Sequence, residues 1–142
     1  MSLAFAEARA AEGRGEAPIG TVVVRDGVVI ARAGNGAREL ADPTAHAEIL
    51  AIREAAAAIG SERLVGCDLY VTLEPCAMCA GAISHARIRR LYYAAADSKG
   101  GAVDHGPRFF GQPTCHHAPE VYGGIRETEA AAMLRAFFAA KR

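Results

Sequence analysis

Four residues of this 142-residue chain have the types and spacing to do chemistry together: His46, Glu48, Cys76 and Cys79. His46-Ala47-Glu48 is followed, 27 positions after Glu48, by Pro75-Cys76-Ala77-Met78-Cys79. A lone histidine at a helix start is usually a satisfied side chain, and two cysteines three apart could equally be a redox pair. Together they make the complement of a catalytic zinc, because one imidazole and two thiolates leave the fourth tetrahedral position to water. A structural zinc would want a fourth protein ligand, for which Cys67, Cys115 and the other histidines are the candidates. Glu48 lies two residues after His46 and cannot share its direction. It should reach past the metal toward the open position, where a general acid/base belongs.

These residues need elements that hold them. Thr44 offers an N-cap to an alanine-rich helix over about 45–59 that Gly60 stops, and a second helix is predicted from about Cys76 to Ala86. His46 and Cys76 then fall in first turns, so two helix N-termini aim at one ion and favour the thiolates that zinc needs. A short first helix from Leu3 to Ala11 ends at Gly13 and Gly15. Ile19 to Val24, Asp26-Gly27 and Val28 to Ala31 read as an antiparallel hairpin. Strands are predicted over 68–73 and about 88–96. Residues 97–124, rich in Gly, Pro and His, read as loop with one short helix around Pro107 to Phe110, and a last helix runs from about Arg126 to Ala140. This order favours a three-layer α/β sandwich on a mixed sheet, with no repeat or linker to mark a second domain.

Composition narrows the function classes. Half the residues are apolar and 23% charged, which excludes disorder and coiled coil. No apolar run approaches a membrane span and the N-terminus lacks a signal-like pattern, so the expected location is the cytoplasm. The formal net charge is zero, yet seven basic and eleven acidic residues precede Cys76 while nine and five follow from it onward. A neutral total argues against a general nucleic-acid coating, and the basic C-terminal half leaves room for a local phosphate-binding face.

On the joint motif the chain resembles the cytidine-deaminase-like superfamily, and within it the bacterial tRNA-specific adenosine deaminases, whose H-x-E and P-C-x-x-C signature it carries. The matching stretches are Pro18-Ile19-Gly20, Gly34-Asn35, Asp42 to Glu48, Thr72 to Ile83, Ala86-Arg87-Ile88, Asp97-Ser98-Lys99 with Gly100-Gly101, and Phe137-Phe138. The resemblance implies a three-layer α/β/α sandwich with a central mixed five-stranded sheet, and one zinc-dependent deaminase domain over 1–142. It implies one zinc per chain on His46, Cys76 and Cys79 with a bound water, which attacks C6 of a flipped-out adenine. Glu48 would move the proton to N1 and then to departing ammonia. The implied reaction is adenosine to inosine at the wobble position of a tRNA anticodon stem-loop, by a homodimer, a state that the alanine-rich helices also permit.

By the same resemblance Asn35, Asp97, Lys99 and Phe137 touch the substrate. Two of these have a local reading as well: Asn35 between glycines suits a turn, and Asp97 before Ser98 suits a cap. Arg87, Arg89 and Arg90 are open between a dimer rim and phosphate contacts. Phe137 and Phe138, with Lys141 and Arg142, are open between RNA stacking and core. Cys115-His116-His117 is expected to serve as a loop contact and not as a second metal site, while His85 and Cys67 look structural. The stretch from Ala102 to Gly124 and the residue Ala96 depart from the family pattern. The alternative function is a deaminase of a free nucleobase or nucleoside such as guanine, cytosine or cytidine with the same zinc site. A binding protein with a structural zinc is a third, opposed by Glu48.

Overall fold

A computed structural model describes residues 1–141. Its elements in chain order are α1 (Ser2–Gly13), β1 (Gly20–Arg25), β2 (Val28–Gly34), α2 (Ala47–Ile59), β3 (Cys67–Leu73), α3 (Ala77–His85), β4 (Arg90–Ala95), a 3-10 turn over Phe109–Gly111, β5 (Glu120–Tyr122) and α4 (Glu127–Ala140). The sheet order is β2-β1-β3-β4-β5, with β1 antiparallel to β2 and β3, and β3-β4 and β4-β5 parallel. The expected mixed five-stranded sheet is therefore present.

Alternation along the strands divides two apolar layers. Val23, Leu69, Val71, Leu91 and Tyr93 pack with Ala51 and Ala55 of α2 and Ile83 of α3. On the other side Phe5 of α1 and Ala130 of α4 enclose Ala94 and Ala95. Burying these side chains between helix and sheet is the main favourable term in folding. The β1-β2 turn has Asp26 at φ 52° and Gly27 at φ 75°, the left-handed pair of a type I′ hairpin, as expected from Asp-Gly. Helix α1 lies so close to the sheet that a Cβ on Gly20 would stand 2.0 Å from the Ala4 carbonyl oxygen, and one on its cross-strand partner Gly34 would stand 2.7 Å from that of Glu7.

Two expectations need correction. Thr44 does not cap α2: its N–H and hydroxyl both donate to Asp42 Oδ1, at 2.9 and 2.7 Å, and the N-cap is His46. Residues 120–122, read as loop, form β5 on the β4 edge, where Tyr122 stacks on Tyr92 at 5.1 Å and Tyr92 on Tyr70 at 4.5 Å. Among the described residues no helix is long and apolar enough to cross a membrane.

Candidate active site

The two helices α2 and α3 begin with residues that ordinarily would not cap. His46 and Cys76 are the N-caps, both in extended backbone (φ −71°, ψ 155° and φ −73°, ψ 176°), and neither side chain bonds its own helix end. Where Ser, Thr or Asp would turn back to satisfy an N–H, these two side chains are free to meet each other. Cys79 follows one turn along α3 and is fully buried.

The three donor atoms lie within 4.8 Å of one another. His46 Nδ1 is 3.6 Å from Cys76 Sγ and 3.6 Å from Cys79 Sγ. Zinc bonds of about 2.3 Å to sulfur and about 2.0–2.1 Å to nitrogen, set at a tetrahedral angle, separate nitrogen from sulfur by about 3.6 Å. The donor set fits zinc in chemistry and in spacing. The Cys76 thiol is pulled down to about 5, chiefly by the neighbouring Cys79 thiol and with help from His46. Cys79, pressed by Cys76, more deeply buried and donating to Glu48 Oε2 at 3.4 Å, is pushed up.

Glu48 is buried in the first turn of α2, and its Oε2 lies 3.4 Å from Cys79 Sγ. Desolvation pushes its carboxyl above the usual carboxylate range, although its own backbone N–H acts the other way. A carboxylate beside the donors but outside their triangle can move protons at the metal without being a ligand.

Asn35 follows β2 directly. Its backbone N–H donates to Ile19 O at 2.9 Å, and the next residue, Gly36, donates to Ala45 O at 3.0 Å, which draws this loop against the residue before His46. The Asn35 side chain donates through Nδ2 to Glu16 Oε2 at 3.2 Å. Glu16 is buried, and its other oxygen accepts the Glu39 N–H at 2.7 Å.

Asp97 Oδ1 accepts the N–H groups of Lys99 and Gly100 at 3.1 and 2.9 Å, so the local capping reading of Asp97 holds for that oxygen. Asp97 and Lys99 line a groove of about 660 Å³ with Leu73, Arg135 and Phe138. The groove starts three residues before Cys76, and the metal donors do not line it. Phe138, not Phe137, is the aromatic in its wall. Phe137 packs edge-on against Phe138 at 5.3 Å, with the Lys141 ammonium 5.2 Å from its ring. Arg142 lies outside the described residues.

Other sequence candidates are occupied elsewhere. Arg89 grips Asp68 with two hydrogen bonds of 3.0 and 2.9 Å, Arg90 pairs with Glu120 at 3.0 Å, and Arg87 reaches Ser84 O at 3.4 Å. Asp68 and Arg90 face each other across the start of β3 and β4, the end of these strands remote from Cys76. Cys115 Sγ donates to His117 O at 3.1 Å and sits 3.5 Å from Ser84 Oγ, and His117 Nε2 bonds Ile88 O at 2.7 Å. They pin residues 115–117 to the α3-β4 connection and do not converge as a second cluster. Cys67 is buried in the core, as expected.

Two buried carboxylates have structural roles that sequence reasoning did not assign. One is Glu16. The other is Glu74, which accepts the N–H groups of Asp97, Val103, Asp104 and His105 at 3.0 to 3.2 Å and the His105 ring at 2.7 Å. Burial would raise its carboxyl, but these hydrogen bonds win and hold it below the usual range. Glu74 thus fastens the 97–105 loop beside the cysteine motif, with both of its oxygens filled by these donors.

Residues 1–95 match the cytidine and deoxycytidylate deaminase zinc-binding region. A tRNA-specific adenosine deaminase of Agrobacterium fabrum is 67% identical over 142 residues, 100% of this chain and 93% of that protein. The chain belongs to the tRNA-specific adenosine deaminase family. A solved structure from work on A-to-I editing by tRNA:A34 deaminases at the wobble position superimposes with a TM-score of 0.93 at 67% identity, covering 94% of this chain and 97% of that one. A guanine deaminase of Bacillus subtilis shares the fold more distantly, with a TM-score of 0.67 at 33% identity over 97% of this chain and 90% of the other.

Proposed function

We propose that this chain is a zinc-dependent hydrolase that converts adenosine to inosine at the wobble position of a tRNA anticodon loop, with residues 1–142 acting as one deaminase domain. The observation that carries the chemistry is the buried Glu48 carboxylate, 3.4 Å from Cys79 Sγ yet outside the donor triangle. The identity to the Agrobacterium fabrum deaminase supports the choice of tRNA.

His46, Cys76 and Cys79 would hold one zinc per chain, whose chemistry is to make a bound water acidic enough to lose its proton near neutral pH. Glu48 takes that proton and delivers it to N1 of the adenine as oxygen adds at C6. It then carries the proton of the new C6 hydroxyl to the amine, which leaves as ammonia as the C6 carbonyl forms. Adenine and water are thus converted to hypoxanthine and ammonia, with no redox partner. The base must leave its stack to reach the centre, since the donors and Glu48 lie at or below the surface. Asn35 contacts the target nucleotide. The groove of Asp97, Lys99, Arg135 and Phe138, with Phe137 behind it, receives the flanking chain by stacking and phosphate attraction. The enzyme works in the cytoplasm as a homodimer; sedimentation at micromolar concentration should return twice the chain mass, and a monomer alone would end that part of the proposal.

The test is incubation of the zinc-loaded enzyme with an anticodon stem-loop and, separately, with guanine, cytosine, cytidine and adenine, scoring inosine and ammonia independently. Inosine in the RNA with no ammonia from the free compounds is the expected result. Ammonia from guanine or cytosine without inosine in the RNA would move the assignment to a free-base deaminase, the reading that the guanine deaminase likeness keeps in the panel.

A further inference from the structure

Glu16 is a buried carboxylate that the zinc chemistry does not use. We propose that it is a positioning residue for substrate recognition, fixing which end of the Asn35 amide is presented to the target nucleotide. The inference rests on the reading of Asn35 as a substrate contact.

A primary amide has two nearly equal-sized ends of opposite character. The NH2 end donates and the oxygen accepts, and a half-turn about the last side-chain bond exchanges them at little steric cost. A carboxylate oxygen facing N–H donors can only accept. Glu16 Oε2 at 3.2 Å from Asn35 Nδ2 therefore selects one orientation, in which Oδ1 and the second N–H stand at fixed places on the half-buried side chain. The other oxygen, Oε1, is held by the Glu39 N–H at 2.7 Å, so the selector is itself anchored.

A purely structural role explains this bond less well. The backbone around Asn35 is already tied by its own N–H to Ile19 O and by the Gly36 N–H to Ala45 O. The extra bond to Glu16 adds order only to the side chain. Burying a carboxylate costs free energy unless its partners repay it, so spending one of its oxygens on a partly exposed amide points to what that amide does.

The experiment is a double-mutant cycle on the zinc-loaded enzyme with an anticodon stem-loop. Its members are wild type, Glu16→Gln, Asn35→Ala and the double variant, each with kcat/KM, equilibrium RNA binding, zinc content and melting temperature. Gln keeps the size and the acceptor for Glu39, but its own NH2 end, placed toward Asn35, favours the flipped amide. Glu16→Gln is expected to lower kcat/KM about tenfold, the worth of roughly one hydrogen bond, with zinc content and melting unchanged. In the Asn35→Ala background the same substitution should change nothing, because there is no amide left to orient. Losses that multiply in the double variant, or a Glu16→Gln loss that tracks a lowered melting temperature, would overturn the proposal in favour of loop support. If Asn35→Ala alone is silent, the substrate-contact reading has failed and the inference falls with it, an outcome the single variant reads separately from the cycle.

Discussion

At the scale of single residues, Glu48 and Cys76 separate chemistry from scaffold. Replacing Glu48 by Ala removes no metal donor, so zinc should stay bound and the fold should persist. The chemical step should slow by about 10²–10⁴-fold, the range for losing a general acid/base, and toward its upper end because one carboxylate serves two transfers. Single-turnover deamination beside metal analysis reads both; a variant keeping more than about a tenth of the rate would remove Glu48 from its role. Cys76→Ala should behave oppositely and lose zinc together with activity, and full zinc occupancy in that protein would refute the donor set. These two residues, with His46 and Cys79, were legible from type and spacing because a zinc site restricts which residues can stand three apart. Glu16 and Glu74 were not. Each is a single acid flanked by Gly or Pro with no periodic pattern, and what marks it, burial under backbone N–H groups from residues 23 to 31 positions away, exists only after folding.

At the scale of elements, the hairpin and all four helices followed from local signals, and the failures came where tertiary contacts decide. Thr44 is a good N-cap by type, but Asp42 takes its hydroxyl first, and α2 starts later. Strand β5 has three residues, too few for a period-two pattern, and it forms because β4 offers an edge and Tyr92 a ring to stack on. Phe137 and Phe138 differ by about 100° around α4, and only the roll of that helix puts Phe138 in the groove. The approach of α1 to the sheet gives a paired prediction. Gly20→Ala would place a methyl 2.0 Å from Ala4 O and 2.5 Å from Ala8 N, and both neighbours are backbone. It should destabilise by about 3 kcal/mol or more, since the helix must move off the sheet. Gly13→Ala, at the end of the same helix with nothing within 4 Å, should be neutral or gain up to about 1 kcal/mol through lost freedom of the unfolded chain. Urea unfolding of both variants checks this, and equal effects would show that α1 does not depend on that contact.

At the scale of the whole molecule, a protein with no formal net charge must recognise a polyanion. Long-range attraction is then weak, and affinity must come from the few cations at the site and from stacking. The cations at the groove are Lys99 and Arg135, with Lys141 next to Phe137, while Arg89, Arg90 and Arg126 are engaged with Asp68, Glu120 and Glu129. About three phosphate contacts on single-stranded loop RNA correspond to a slope of about −2 for log affinity against log salt concentration. A protein coated with free basic residues would give a far steeper one. Lys99→Ala should flatten the slope by about 0.7 and weaken binding most at low salt, while single-turnover deamination at saturating RNA stays near wild type, because Lys99 lies outside the proton path. The measurement is stem-loop binding across a salt series for both proteins. An unchanged slope in Lys99→Ala would mean that the RNA does not follow this groove, and the contact would have to be sought on another face of the molecule.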